Sequence, residues 1–75
     1  MSAVIKRSVA IQGHRTSFSL EQPFYDELVA IADQRGMAIA ALVGEIDKAR
    51  PDGMNLSSAL RLHVLETLKA RLNRA

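Results

Sequence analysis

The chain has 75 residues, a formal net charge of +2 and 48% hydrophobic residues, apolar content enough for one folded domain in a length too short for two. It has no cysteine, which excludes disulfides and thiolate metal sites and leaves oligomerisation as the route by which so small a domain gains stability. No apolar run approaches the roughly 20 residues that span a bilayer, and Lys6, Arg7 and Ser8 interrupt the stretch where a signal peptide would be continuously apolar, so a cytoplasmic protein is expected.

Charge is sorted along the chain: residues 1–20 sum to +3, residues 21–47 to −5 and residues 48–75 to +4. The first sum predicts a basic working surface near the N-terminus, and the second the solvated face of surface helices. Residues 1–7 read as a flexible basic arm, and residues 8–75 as a single domain. Ser8 to Gln12 alternates weakly, so that Val9 and Ile11 share a face. Gly13 then interrupts, and Gln12-Gly13 is either a bend in one long strand or a hairpin turn. Gln-Gly is a poorer turn signal than Asn-Gly, which favours the bend. Arg15 to Leu20 alternates clearly: Thr16, Phe18 and Leu20 lie on one face and Arg15, Ser17 and Ser19 on the other.

The first helix is expected to begin near Gln22 or Pro23, because proline is tolerated where its missing N–H would have no helical partner. Phe24, Tyr25, Leu28, Val29, Ile31 and Ala32 fall within one arc at about 100° per residue. The helix ends at Arg35-Gly36, glycine being able to adopt the left-handed conformation that closes a helix. A second helix is expected over about 38–50 on Ile39, Leu42, Val43 and Ile46, stopped by Pro51-Asp52-Gly53. Asn55 or Ser57 can cap a third, expected over about 55–73, with Leu56, Leu60, Val64, Leu68 and Leu72 spaced by four.

The order strand, helix, glycine-containing turn, helix resembles the ribbon-helix-helix family of bacterial DNA-binding repressors. The resemblance rests on Arg15-Thr16-Ser17-Phe18-Ser19-Leu20, the amphipathic helix after it and Arg35-Gly36-Met37, and the longer run from Arg7 to Arg61 looks like an uncharacterised branch with an added C-terminal helix. It implies a mainly α fold with one short strand per chain, in an intertwined homodimer whose two-stranded antiparallel ribbon is intermolecular and enters the major groove of duplex DNA. Carried onto this sequence, Arg15, Ser17 and Ser19 would contact base edges. Lys6, Arg7 and His14 would reach phosphates, as would the backbone of Met37, Ala38 and Ile39 at the start of the second helix. Phe18, Leu20, Leu28, Ile31, Ile39, Leu42, Val43 and Ile46 would form the dimer core. The family often has a hydroxyl cap where this chain has Ala38, so that clamp relies on amides. With few phosphate contacts per chain, dimers side by side on DNA are a further expectation.

Catalysis is not expected: the chain lacks a Ser-His-Asp pattern and a glycine-rich phosphate loop, and its acids look like helix-surface charges. No metal or cofactor is expected, His63 reading as an interfacial histidine rather than a ligand. The alternative function is a protein-interaction module, antitoxin-like or adaptor, that engages a partner through the third helix. A membrane-surface role for that helix is disfavoured by its lack of Trp and Phe anchors.

Overall fold

The structure, a computed structural model, describes residues 3–74. Two strands, β1 (Val4–Ile11) and β2 (His14–Glu21), are followed by three helices, α1 (Gln22–Gln34), α2 (Ile39–Ala49) and α3 (Leu56–Arg74). The strands form an antiparallel hairpin in register from Val4 opposite Glu21 to Ile11 opposite His14. The ribbon is therefore two-stranded and antiparallel as expected, but its second strand comes from the same chain, so the count of one strand per chain is corrected to two. Gln12 and Gly13 both take positive φ, 48° and 82°, the geometry of the tight hairpin turn whose twist matches that of the strands. The bend expected at Gly13 is thus a reversal. Residues 4–7, expected within a flexible arm, are the first half of β1; the part of that expectation falling on Met1 and Ser2 lies outside the described residues.

The hairpin forms because its two strands present matching faces. Directly opposed residues share a face, which puts Ile5, Arg7, Val9 and Ile11 with His14, Thr16, Phe18 and Leu20 on the helix side. Phe18 and Leu20 are buried, and Val9 and Ile11 pack against the same core. Ile11 reaches α2 at Gly44, where an added Cβ would lie 3.1 Å from the Ile11 Cγ2; the missing side chain is what lets the hairpin tip sit on the helix.

α1 closes with a Schellman arrangement: Gly36 at φ 68°, the Gly36 N–H donating to Asp33 O at 3.1 Å and the Met37 N–H to Ala32 O at 2.9 Å, which satisfies carbonyls left over at the helix end. Asn55 caps α3 by accepting the Ser58 N–H at 2.8 Å, as its position ahead of an apolar repeat predicts. The helices bury Leu28, Ile31 and Ala32 from α1, Leu42, Val43 and Ile46 from α2, and Leu56, Ala59, Leu60 and Val64 from α3. The residues expected in a dimer core are thus in the core of one chain, except Ile39, which is half-buried at its edge. α3 supplies apolar surface that the expectation assigned to a second copy. Its spaced apolar stripe stops short of its end, however: Leu68 and Leu72 are exposed, with Leu62 and Leu65.

Candidate nucleic-acid interface

The outer face of the hairpin carries Val4, Lys6, Ser8 and Ala10 from β1 and Arg15, Ser17, Ser19 and Glu21 from β2, paired across the strands as Lys6 with Ser19, Ser8 with Ser17 and Ala10 with Arg15. The three residues expected to read bases, Arg15, Ser17 and Ser19, are therefore together on one face, Arg15 and Ser17 exposed and Ser19 half-buried. Ser8 and Ser17 lie with their hydroxyl oxygens 3.5 Å apart. The one acid of this face, Glu21, is at its far end, where Arg61 of α3 stands 3.5 Å from its Oε1. What remains exposed between Lys6 and Arg15 is small, hydroxylated and basic.

The backbone of this face can be assigned edge by edge. Opposed residues in an antiparallel ladder alternate between pairs that exchange backbone hydrogen bonds and pairs that do not. The Ser19 N–H donates to Ser57 Oγ at 3.1 Å, so it points away from β1, and Lys6 with Ser19 is a non-bonded pair. By alternation Ser8 with Ser17 and Ala10 with Arg15 are non-bonded pairs too. The N–H and C=O groups of Arg15 and Ser17 thus point outward from the far edge of β2, and α3 covers that edge from Ser19 onward.

Two of the expected phosphate contacts are elsewhere. Arg7 faces the helices: its guanidinium lies 3.8 Å from the centroid of the Tyr25 ring, and its Nη2 donates to Gln22 Oε1 at 2.5 Å, while Gln22 Nε2 donates to Asp26 Oδ1 at 2.7 Å. This is a structural use of the cation, since a guanidinium over an aromatic face is attracted by the ring quadrupole, and its Nε is buried without a partner. One residue of alternation separates Lys6, on the outer face, from Arg7, on the inner. Met37 is the second: its N–H is spent on closing α1. Ala38, the residue preceding α2, makes no side-chain cap, and the first helical hydrogen bond is that from Leu42 N–H to Ala38 O, so the amides at this helix start, those of Ala38 and Ile39 among them, are without a helical partner. His14 is exposed beside the hairpin turn.

Sequence reasoning missed Ser8 and Ala10 as members of the outer face. The signal was the period-two alternation of β1, which aligns with that of β2 once Gln12-Gly13 is read as a turn. A bidentate ion pair fixes the turn that carries α2's start: Arg35 Nη1 and Nη2 donate to Glu45 Oε2 and Oε1 at 2.8 and 3.0 Å. The hydrogen bonds from Arg35 hold the Glu45 carboxyl below its ordinary value against a smaller opposing effect of burial, with the charges of Arg35 and His63 adding to the shift. His63 is half-buried, and among the described residues no group of three or more His, Cys, Asp or Glu side chains is placed to hold a metal. Among them too, no helix is long and apolar enough to cross a membrane.

No curated protein and no solved structure matches the chain. A family described as a ribbon-helix-helix domain, one of DNA-binding regulatory modules, matches residues 4–68. That match spans both strands, α1, α2 and most of α3, and with the two-stranded ribbon and the helices behind it the chain belongs to the ribbon-helix-helix family.

Proposed function

We propose that the chain is a sequence-specific double-stranded DNA-binding protein, a homodimeric transcriptional repressor of the bacterial cytoplasm that lays the outer face of its ribbon into the major groove. The observation that carries this reading is the face itself: Lys6, Ser8, Ala10, Arg15, Ser17 and Ser19 on a two-stranded ribbon, the width the major groove admits. Arg15 offers bidentate donors to guanine O6 and N7, and the serine hydroxyls donate or accept. Lys6, His14 and the first-turn amides of α2 supply phosphate contacts that fix register without reading sequence. Occupying an operator in this way blocks transcription by exclusion, and two copies double the phosphate contacts and hence the salt dependence.

The test is fluorescence anisotropy with labelled duplexes, comparing the wild type with Arg15→Ala combined with Ser17→Ala over a range of salt. The variant should keep its helical circular dichroism and lose discrimination between sequences by about 1–3 kcal/mol for each good base contact removed. Unchanged affinity and specificity at every salt concentration would sink the reading. A second reading is favoured by one observation: Leu62, Leu65, Leu68 and Leu72 are exposed on α3, a row suited to a protein partner. A domain that binds a partner protein through α3 and ignores DNA would be an adaptor or antitoxin-like module.

A further inference from the structure

We propose that the outer side of α3 is a pairing surface for a second copy of this chain, the two α3 helices packing antiparallel. This goes beyond the DNA-binding reading and does not depend on it. α3 is apolar on two sides. Leu56, Ala59, Leu60 and Val64 are buried in the body of the domain, and Arg61 beside Glu21 with Arg71 bonded to Gln34 sets the side turned to α1. The other side carries Leu62, Leu65, Lys69 and Leu72, all exposed. Their spacing of three, four and three is that of a coiled-coil seam, which a helix that only covers its own core does not need. Single exposed leucines are ordinary on a protein surface; with Leu68 added, these make a contiguous apolar row on one helix, the kind of patch that marks an interaction site.

The charges along the seam select a copy as the occupant and antiparallel as the direction. In an antiparallel pair each layer joins the two kinds of seam position, which sets Leu62 level with the partner's Leu72 and Leu65 level with the partner's Lys69. Glu66 flanks the seam on the same side as Lys69, so each Lys69 meets the partner's Glu66 within one residue of level, about 1.5 Å along the axis. Both charges are exposed, and among the described residues neither is in a salt bridge. A parallel pair would instead set Lys69 against the partner's Lys69, like charges at the centre of the contact. On the opposite flank Leu68 meets the partner's Leu68. The partner's Leu72, level with Leu62, comes to the mouth of a cavity of about 320 Å³ between α2 and α3 that Ile46, Met54, Ala59 and Leu62 line. One surface thus fits itself about a two-fold axis, as a closed contact between like chains requires. The seam is about two heptads long, at the small end of specific interfaces, so pairing calls for chain on the order of tens of micromolar and leaves the stability of dilute chains unchanged. It uses neither strand and leaves the ribbon free to be shared between copies.

Two measurements test this. The first uses the natural absence of cysteine. Leu62→Cys and Leu72→Cys, oxidised separately, should remain single chains on a non-reducing gel, because in this register each lies about 15 Å along the axis from its own counterpart, beyond the roughly 4.4–6.8 Å between Cα atoms that a disulfide spans. Mixed, the two variants should give a disulfide-linked pair. The second is sedimentation equilibrium, with circular dichroism to check that each variant is folded. The mass of the unaltered chain should rise with concentration, and Lys69→Glu should weaken that association about tenfold by setting like charges beside the partner's Glu66. Lys69→Glu combined with Glu66→Lys should restore it. Disulfide-linked pairs from either single variant, as abundant as from the mixture, would overturn the antiparallel seam. No mixed disulfide, with a mass that Leu65→Glu leaves unchanged at every concentration, would overturn the pairing itself and leave the row of leucines to a protein of another kind. Neither result bears on whether the ribbon binds DNA.

Discussion

Replacing Arg7 by alanine separates a cation that holds the fold from one that holds DNA. In the structure its guanidinium stacks on Tyr25 and donates to Gln22, which is itself held by Asp26. A cation–π contact is worth about 0.5–2 kcal/mol and a hydrogen bond from a charged donor about 1.5–3 kcal/mol. The partnerless Nε offsets part of this, so the net loss should be about 1–3 kcal/mol. For a domain of this size each kcal/mol moves the melting temperature by about 4–8 °C, and the expected drop is roughly 5–20 °C. Thermal denaturation followed by circular dichroism measures it, alongside the salt dependence of DNA binding. If Arg7 instead contacted a phosphate, its removal would flatten the log-log salt slope by about 0.9 for each contact and leave stability within about 0.5 kcal/mol of the wild type. That second pattern would refute the placement of Arg7 between the hairpin and α1.

Three further outcomes follow from named contacts. Ser57→Ala leaves the Ser19 N–H without its acceptor and should accelerate hydrogen exchange at that amide while lowering stability by about 1–3 kcal/mol; unchanged exchange would show that the α3 cap does not form in solution. Leu20→Ala removes a fully buried side chain and should cost about 2–5 kcal/mol in urea denaturation, whereas Leu72→Ala, at 76% exposure, should stay within about 0.5 kcal/mol; equal effects would contradict the exposed end of α3. The hydrogen bonds from Arg35 lower the Glu45 pKa in the folded chain, so the unfolded chain binds that proton more readily. The stability the pair contributes is present above the ordinary glutamate value of about 4.3 and is lost as pH falls through the folded value. Urea midpoints should therefore fall less steeply on acidification in Glu45→Gln than in the wild type, and parallel pH profiles would exclude the contribution.

Much of the fold was legible in residue order. Pro23 and Arg35-Gly36 bound α1 because proline and glycine act through backbone geometry that does not depend on distant packing. The arcs of α1 and α2 mark what they bury, and Asn55 marks the start of α3. The hairpin was legible only as the less favoured of two readings, because Gln12 must take a positive φ that a non-glycine residue seldom adopts. Its cost is met by pairing along both strands and by Ile11 seating on Gly44, which no local signal reveals. The same reversal decides Arg7: without the register of β1 against β2, a basic residue in a weakly alternating strand has no assigned face. The outer face of the ribbon, proposed to read bases, was legible on β2, where alternation is strict, and half hidden on β1. α3 misled in another way. Its row of leucines continues in sequence past the point where the body of the domain ends, so a periodic stripe overstated how much of it is covered.

The outer face of the ribbon is the surface proposed to meet DNA. Titrating isotopically labelled protein with a selected duplex and following backbone amide shifts by NMR should move Lys6, Ser8, Arg15, Ser17 and Ser19, with His14 and the first turn of α2 at the margin and the α3 leucines unmoved. Shifts confined to α3, or no shifts at low salt, would contradict that proposal.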